Sequence, residues 1–148
     1  MRRNSVLLVE DDPADVKLIR RAFTKAEVDV AVYRLSDGEE AIAYLEGKPP
    51  FDNRVEHPFP AVLLIDLKLP RRNGLEVLEW LRAREDSRRR LPVIMLTSSR
   101  HVADVNRAYD LGVNSYVTKP DTGSELTEFV SRFRQYWFAF NEEPEIAF

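Results

Sequence analysis

The chain has 148 residues, a formal net charge of −3 and no cysteine. This length fits one domain with a core large enough to fold without a metal or a disulfide bond. The lack of cysteine excludes a disulfide framework, a cysteine-based zinc site and a thiol nucleophile. No apolar run approaches the roughly 18 residues that span a bilayer, and the N-terminus lacks the apolar core of a signal peptide. We therefore expect a cytoplasmic protein without a membrane partner.

Short apolar segments alternate with segments of helical spacing along the chain. Several of the apolar segments look buried on both faces, as strands of a parallel sheet are. The predicted strands are residues 6–9, 30–33, 61–65, 92–96 and 115–118. Because crossovers between parallel strands are right-handed, this order predicts one doubly wound α/β domain of (βα)5 type, with helices on both faces of the sheet.

The helical segments carry apolar faces and recognisable start signals. Ser36 with Glu39 and Thr122 with Glu125 have the spacing of a capping box, and Asp12 precedes a first-turn proline. Four segments have apolar residues at helical spacing. These residues are Val16, Ile19, Phe23 and Ala26; Leu75, Leu78 and Leu81; Val102, Val105 and Tyr109; and Leu126, Phe129, Val130, Phe133, Trp137 and Phe140.

Two segments lie outside the alternating pattern. Residues 48–60 are rich in proline and aromatic residues without a helical or strand period, which predicts a surface loop between helix 2 and strand 3. Residues 141–148 begin as an acidic tail. We therefore expect a single domain over residues 1–140, followed by a tail over residues 141–148 and no output domain.

Polar side chains follow four of the predicted strands. They are residues 10–12 after strand 1, Asp66 after strand 3, Thr97 after strand 4 and Lys119 after strand 5. In open α/β sheets, ligands bind outside the carboxyl ends of the strands. We therefore expect three aspartates, a hydroxyl group and an ammonium group to meet in one pocket.

This set of groups suits phosphoryl transfer assisted by a metal ion. Oxygen ligands without cysteine or histidine favour Mg²⁺, and Mn²⁺ or Ca²⁺ could substitute. A carboxylate held by the metal can attack phosphorus and form an aspartyl phosphate. The metal, a lysine and a hydroxyl donor then stabilise the charge that develops.

The sequence resembles the receiver domain of bacterial response regulators, the CheY-like family, up to about residue 140. The matching motifs are VLLVEDD at residues 6–12, DLKLP at residues 66–70, TSS at residues 97–99 and YVTKP at residues 116–120, together with Asn73–Gly74. The resemblance implies a flavodoxin-like sheet with strand order 2-1-3-4-5. It also implies a signalling phosphoacceptor, which assists its own phosphorylation and dephosphorylation but is not an enzyme.

The resemblance assigns the acceptor and the metal ligands. Asp66 would accept a phosphoryl group from a sensor histidine kinase. Asp12 would bind Mg²⁺ directly and Asp11 would bind it through water. The main-chain carbonyl of Lys68 would supply a further oxygen.

The resemblance also assigns the switch. Lys119 would pair with the Asp66 carboxylate and then with the phosphoryl group, and its peptide bond to Pro120 would be cis. Thr97 would donate a hydrogen bond to the phosphoryl oxygens, and Tyr116 would move inward behind it. Phosphorylation would then change the surface of helix 4, strand 5 and helix 5.

Structural explanations compete with some of these roles. Asp12 before a proline could simply be a helix N-cap, and Tyr116 could be an ordinary core residue. A basic stretch between residues 71 and 90 could contact nucleic acid. The chain is net acidic and lacks a recognition-helix motif, so we favour a solvated or docking surface and expect no nucleic-acid partner.

An aromatic cluster near the C-terminus predicts self-association. It contains more aromatic residues than one buried helix face can use. The cluster consists of Phe133, Tyr136, Trp137, Phe138 and Phe140. The long last helix and the loop over residues 48–60 resemble the stand-alone regulators paired with bacterial phytochromes. This resemblance implies a homodimer through helix 4, strand 5, helix 5 and the C-terminal extension, and a bacteriophytochrome as the kinase. Alternatively, the aromatic residues of this cluster fold back over the surface of the domain itself.

Other classes of protein fit less well. A flavodoxin-like electron carrier needs a phosphate-binding loop after strand 1, whereas this loop is acidic. A phosphatase with an aspartate nucleophile would carry a second carboxylate at position 68, which is lysine here. Lys68 and Ser99 also depart from the common receiver pattern beside the site. A degenerate receiver that acts only as a scaffold or dimerisation module remains the alternative function.

Overall fold

The computed structural model of the protein describes residues 2–147. Its centre is a parallel sheet with the strand order β2-β1-β3-β4-β5, which confirms the predicted fold. The strands are β1 (Ser5–Val9), β2 (Ala31–Leu35), β3 (Val62–Ile65), β4 (Val93–Thr97) and β5 (Ser115–Thr118). Each lies within two residues of its predicted bounds.

Five α-helices connect and follow the strands. They are α1 (Pro13–Lys25), α2 (Gly38–Glu46), α3 (Gly74–Arg82), α4 (Val102–Asp110) and α5 (Gly123–Gln135). A 3₁₀ turn (Ser87–Arg90) precedes β4, and a π-helical segment (Tyr136–Phe140) extends α5. Among residues 2–147, none of the helices has the length and apolarity needed to span a bilayer.

Alternating strand residues build two apolar layers, one on each face of the sheet. Leu7, Ile65 and Met95 pack with the buried residues of α2 and α3. Leu8 and Leu64, which point the other way, pack with α1 and α5. Because both faces are covered, the strand ends are the part of the sheet where polar side chains can gather.

The predicted face of α4 is wrong. Ala108 is the buried residue of this helix, whereas Val102 and Tyr109 are 72% and 51% exposed. Three apolar residues at helical spacing do not determine which side of a nine-residue helix faces the core, because tertiary packing outweighs such a short pattern. This leaves an exposed apolar stripe on α4.

The last helix ends earlier than its apolar spacing predicts. The α-helical pattern stops at Gln135, and Asn141 N donates to Tyr136 O at 2.7 Å across a π turn. A π turn holds one residue more than an α turn, so it rotates the following side chains away from the core-facing row. Phe140, predicted on the apolar face, is instead 71% exposed.

One predicted helix start is shifted and another is confirmed. The N-cap of α2 is Asp37, whose side chain accepts from Glu40 N, rather than Ser36 with Glu39. Ser36 instead donates to the Glu40 side chain. The Thr122 cap of α5 is confirmed, since its side chain accepts from Glu125 N.

The loop over residues 48–60 has no helix or strand, as predicted, but it is packed against the domain. The buried Tyr44 of α2 donates its hydroxyl to the carbonyl of Pro58 at 2.8 Å, and its ring contacts Phe51. Phe59 is also buried. The loop therefore adds a small apolar layer at the amino ends of the strands.

The acidic tail lies against the same end of the domain. Glu143 forms an ion pair with Arg3 at 2.9 Å, and Ala147 exchanges two hydrogen bonds with the Ser87 side chain at 2.8 Å. Ile146 packs against the first apolar layer. These contacts join both ends of the described chain far from the carboxyl ends of the strands.

Candidate phosphoryl-acceptor and metal site

Backbone hydrogen bonds that continue the sheet ladder place the polar residues at its carboxyl edge. Asp66 N donates to Val9 O at 3.0 Å, and Lys119 N donates to Thr97 O at 2.8 Å. Gly74 begins α3 directly beside Asp66, where an added Cβ would lie 2.3 Å from the Asp66 carbonyl oxygen. A glycine is therefore required for α3 to approach the end of β3 this closely.

Three carboxylates gather at this edge. Ligand atoms of Glu10, Asp11 and Asp66 lie within 4.8 Å of one another. Glu10 and Asp66 are buried, with 2% and 8% of their surface exposed, whereas Asp11 is exposed. An all-oxygen set with one exposed edge fits a small hard cation that keeps some of its waters, which is the chemistry of Mg²⁺ or Mn²⁺.

The predicted metal ligand Asp12 is not part of this cluster. Its side chain caps α1 by accepting from Ala14 N at 2.9 Å, so the N-cap interpretation of this residue is confirmed. The point at which β1 gives way to α1 explains the difference. The Glu10 N–H still continues the ladder to β2 by donating to Leu35 O at 3.0 Å, whereas Asp12 is already the cap of α1.

Glu10 is a candidate metal ligand to which the sequence motifs assigned no role. One oxygen of its carboxylate lies 2.7 Å from Lys119 Nζ, and the other accepts from Asp12 N at 3.1 Å. Burial raises the pKa of the Glu10 carboxyl to about 7, because the hydrogen bond from Lys119 compensates only in part and the charge of Asp66 adds to the rise. A bound cation would favour the ionised form.

Lys119 is the central cation of the site. Its Nζ donates to Asp15 at 2.7 Å and to Asp66 at 3.0 Å, in addition to Glu10 at 2.7 Å. Burial disfavours the ammonium form, but these hydrogen bonds outweigh it and raise the pKa of Lys119 above its ordinary value. The predicted cis bond to Pro120 is wrong, since the cis bond of the described chain joins Pro49 and Pro50.

Thr97 and Tyr116 are linked through the loop between β4 and α4. Thr97 is fully buried, and its hydroxyl accepts from Ser99 N at 3.4 Å. Tyr116 donates its hydroxyl to Ser99 O at 3.0 Å. Ser99 also donates to the Asp104 carboxylate in the first turn of α4. A displacement of Thr97 would therefore reach both Tyr116 and α4.

Lys68 lies at the mouth of the site. Its backbone N–H donates to Asp66 Oδ1 at 3.3 Å, and its side chain is exposed. The exposed ammonium group of Lys68 can therefore extend into solvent beside Asp66, while its backbone is held to the Asp66 carboxylate.

The predicted dimer surface divides into buried and exposed residues. Phe133 is 4% exposed and packs edge-on against Phe23, so it belongs to the core rather than to a surface. Trp137 and Phe138 are partly buried against the same layer. The remaining two predicted residues, Tyr136 and Phe140, are exposed.

Much of the basic stretch is used inside the domain. Arg82 donates to Leu91 O at 2.9 Å and to Gly112 O at 2.9 Å. Arg84 and Arg88 pair with Asp86 at 2.8 Å and 3.2 Å. These contacts fix the turn before β4 and leave less positive charge for a polyanion.

A five-stranded parallel sheet with carboxylates, a lysine and a threonine at its strand ends is the arrangement of a receiver domain. The chain belongs to the response regulator receiver domain family, which matches residues 6–131. The resemblance stated from the motifs is thereby confirmed.

The chain is similar to a named response regulator both in sequence and in structure. Response regulator Rcp1 of Synechocystis sp. is 35% identical over 132 residues, which cover 89% of this chain and 87% of Rcp1. The Mn²⁺-bound form of Rcp1 covers 96% of this chain and 99% of its own, with 32% identity and a TM-score of 0.84.

Two further similar structures are those of phytochrome response regulators. The phosphorylated cyanobacterial phytochrome response regulator RcpA has a TM-score of 0.87 and 33% identity, covering 97% of this chain and 100% of its own. The bacteriophytochrome response regulator RtBRR has a TM-score of 0.76 and 40% identity, covering 97% of this chain and 85% of its own.

Proposed function

We propose that this protein is a phosphoacceptor of a two-component phosphorelay, which receives a phosphoryl group on Asp66 from a sensor histidine kinase. The observation that carries the proposal is the buried Asp66 carboxylate, 3.0 Å from Lys119 Nζ and clustered with Glu10 and Asp11. In this role the protein is a signalling component rather than an enzyme that releases a product.

Each residue has a part in the transfer. A carboxylate oxygen of Asp66 attacks phosphorus, and the bond from phosphorus to the donor's imidazole nitrogen breaks as the new P–O bond forms. Lys119 and the Thr97 hydroxyl stabilise the phosphoryl oxygens. Glu10, Asp11, Asp66 and the Lys68 carbonyl would hold Mg²⁺. The metal supplies positive charge to the transferring group.

The same residues link the phosphoryl group to the surface. Thr97 moves toward the new charge, and the Ser99 segment that connects it to Tyr116 follows. Tyr116 lies on β5 and Asp104 on α4, so the change arrives at the α4–β5–α5 surface. A shift from mostly inactive to mostly active needs several kcal/mol, which a dianion paired with Lys119 and a divalent ion can supply.

The donor that we propose is a bacteriophytochrome-type histidine kinase in the cytoplasm. The similarity to Rcp1, RcpA and RtBRR supports this class of kinase. We expect a purified bacteriophytochrome kinase labelled with radioactive phosphate to transfer its label to the wild-type chain but not to Asp66→Asn. Label that stays on the kinase while acetyl phosphate still modifies Asp66 would refute this class of donor and leave the acceptor role intact.

We also propose that the protein works as a homodimer through the α4–β5–α5 surface and the C-terminal extension. Tyr136 is 52% exposed beside the β5 edge, and Phe140 is 71% exposed. The α4 stripe with Val102 and Tyr109 adds apolar surface on the same proposed interface. A stable dimer has an interface of about 1,000 Å² or more, so single exposed residues are not enough. The proposal therefore combines the α4 stripe with the exposed aromatic residues after α5.

The dimer proposal predicts that Tyr136→Ser with Phe140→Ser weakens self-association about tenfold or more, since exposed aromatics are frequent anchors of interfaces. Sedimentation velocity over a concentration series measures the change. Val55→Ser is the matched control, because Val55 is 90% exposed but lies in the distant loop after α2. A wild type that stays monomeric at high concentration would refute the dimer.

A further inference from the structure

The receiver mechanism leaves one carboxylate of the site unexplained. Asp15 Oδ2 lies 2.7 Å from Lys119 Nζ, closer than Asp66 at 3.0 Å. Asp15 lies in the first turn of α1, 104 residues away from Lys119 along the chain. It is not a member of the carboxylate cluster formed by Glu10, Asp11 and Asp66.

A position in the first helical turn does not by itself explain this contact. Carboxylates are favoured at helix N-termini by the helix dipole, whichever way they point. Here the side chain reaches across to the end of β5 and shares a partly buried cation with Glu10 and Asp66. The function of Asp15 should therefore lie in its effect on Lys119.

The hydrogen-bonding capacity of Lys119 limits what it can do at once. An ammonium group has three N–H donors, and the three carboxylates of Asp15, Glu10 and Asp66 account for all of them. A phosphoryl group on Asp66 presents additional anionic oxygens to the same ammonium. Each contact that Lys119 keeps with Asp15 is one that it does not make with the phosphoryl group.

The charges point in the same direction. Glu10, Asp15 and Asp66 contact one ammonium, and Asp11 clusters with Glu10 and Asp66, so the site is strongly anionic before any phosphoryl donor arrives. Asp15 adds to this charge without belonging to the proposed metal ligands. Its carboxylate is partly exposed, with 31% of the side chain accessible.

We propose that Asp15 is a positioning residue that holds Lys119 toward α1 and competes with the phosphoryl group for its ammonium. Asp15 thereby lowers the affinity of the site for a phosphoryl group and limits how strongly phosphorylation stabilises the active form. This inference rests on the proposed phosphoacceptor function.

Asp15→Asn provides the test, because the amide keeps the shape and one acceptor oxygen but removes the charge. We expect the variant to bind beryllofluoride, in the presence of Mg²⁺, about fivefold more tightly than wild type, the effect of one partly exposed ion pair. Fluorine NMR measures this binding. Mg²⁺ affinity, measured separately by calorimetry, should fall slightly, since a negative charge near the cation is lost.

Tighter beryllofluoride binding together with weaker Mg²⁺ binding distinguishes a positioning role of Asp15 from a distorted site, because a distorted site would lose affinity for both ligands. Asp121→Asn is the matched control. It removes the same charge two residues after Lys119, from a side chain that is 85% exposed and 3.9 Å from Arg100. We expect this control to bind beryllofluoride as wild type does.

Equal beryllofluoride affinity in wild type, Asp15→Asn and Asp121→Asn would overturn the inference. So would a weaker affinity in Asp15→Asn with unchanged thermal unfolding. A wild type that binds Mg²⁺ but no beryllofluoride would instead refute the proposed phosphoacceptor function, so the two failures are distinguishable.

Discussion

Replacing Lys119 by methionine should lower the free energy of unfolding of the metal-free protein by about 2 kcal/mol near pH 8. Lys119 is the cation that contacts both buried carboxylates, Glu10 at 2.7 Å and Asp66 at 3.0 Å. Removing one partner of a buried ion pair leaves the other charge uncompensated. Urea unfolding followed by circular dichroism measures the difference.

The effect of Lys119→Met should shrink as the pH falls. In wild type, burial raises the pKa of Glu10 to about 7, above its value of 4.5 in an unfolded chain. The folded state therefore binds this proton more tightly, and its stability decreases as pH rises from the unfolded to the folded pKa. Without Lys119 the pKa of Glu10 rises further, so the variant loses more stability at high pH than wild type.

Lys48→Met is the matched control for this substitution. Lys48 forms an exposed ion pair with Glu46 at 3.2 Å, and such pairs contribute about 0–1 kcal/mol. We expect its pH profile to follow that of wild type. Equal destabilisation by both substitutions at every pH would contradict the central role of Lys119.

Asp11→Asn should weaken Mg²⁺ binding about tenfold or more, whereas Asp12→Asn should change it by less than about twofold. Asp11 belongs to the carboxylate cluster, and Asp12 caps α1. Asparagine is as good an N-cap as aspartate, so Asp12→Asn also keeps the helix start. Isothermal titration calorimetry with Mg²⁺ compares the two variants directly.

If Asp12→Asn weakened Mg²⁺ binding more than Asp11→Asn, the result would support the metal ligand that the motif predicts. In that case Asp12 would be a direct ligand, and the cap seen in the structure would open when Mg²⁺ binds. The comparison is sharp because both variants remove one carboxylate from adjacent positions and conserve the size of the side chain.

The strand ends could be located from sequence, and with them most of the site. Asp66, Thr97 and Lys119 each follow a short apolar run, and parallel strands bring such positions to one edge. The exact ligand after β1 could not be chosen in this way. Three acidic residues follow one another there, and which of them face the site depends on where β1 ends and the cap of α1 begins, which the sequence pattern does not show.

The sequence pattern did not predict contacts between segments that are distant along the chain. The bond from Asp15 to Lys119 depends on how α1 packs against α5 and brings Asp15 to the end of β5, which no local motif encodes. The sequence pattern likewise did not show which face of α4 is exposed or where α5 changes to a π turn. The sequence predicts the loop after α2 only as a surface loop, because proline-rich segments show no period even when they bury aromatic residues.

The most direct test of the account is intact-protein mass spectrometry after incubation with acetyl phosphate and Mg²⁺. Wild type, Asp66→Asn and wild type with a chelator are compared promptly, because acyl phosphates hydrolyse. The account predicts the mass of one phosphoryl group on wild type with Mg²⁺ and on neither control. A wild type without the adduct that also fails to bind beryllofluoride with Mg²⁺ would contradict it and favour a scaffold that is never phosphorylated.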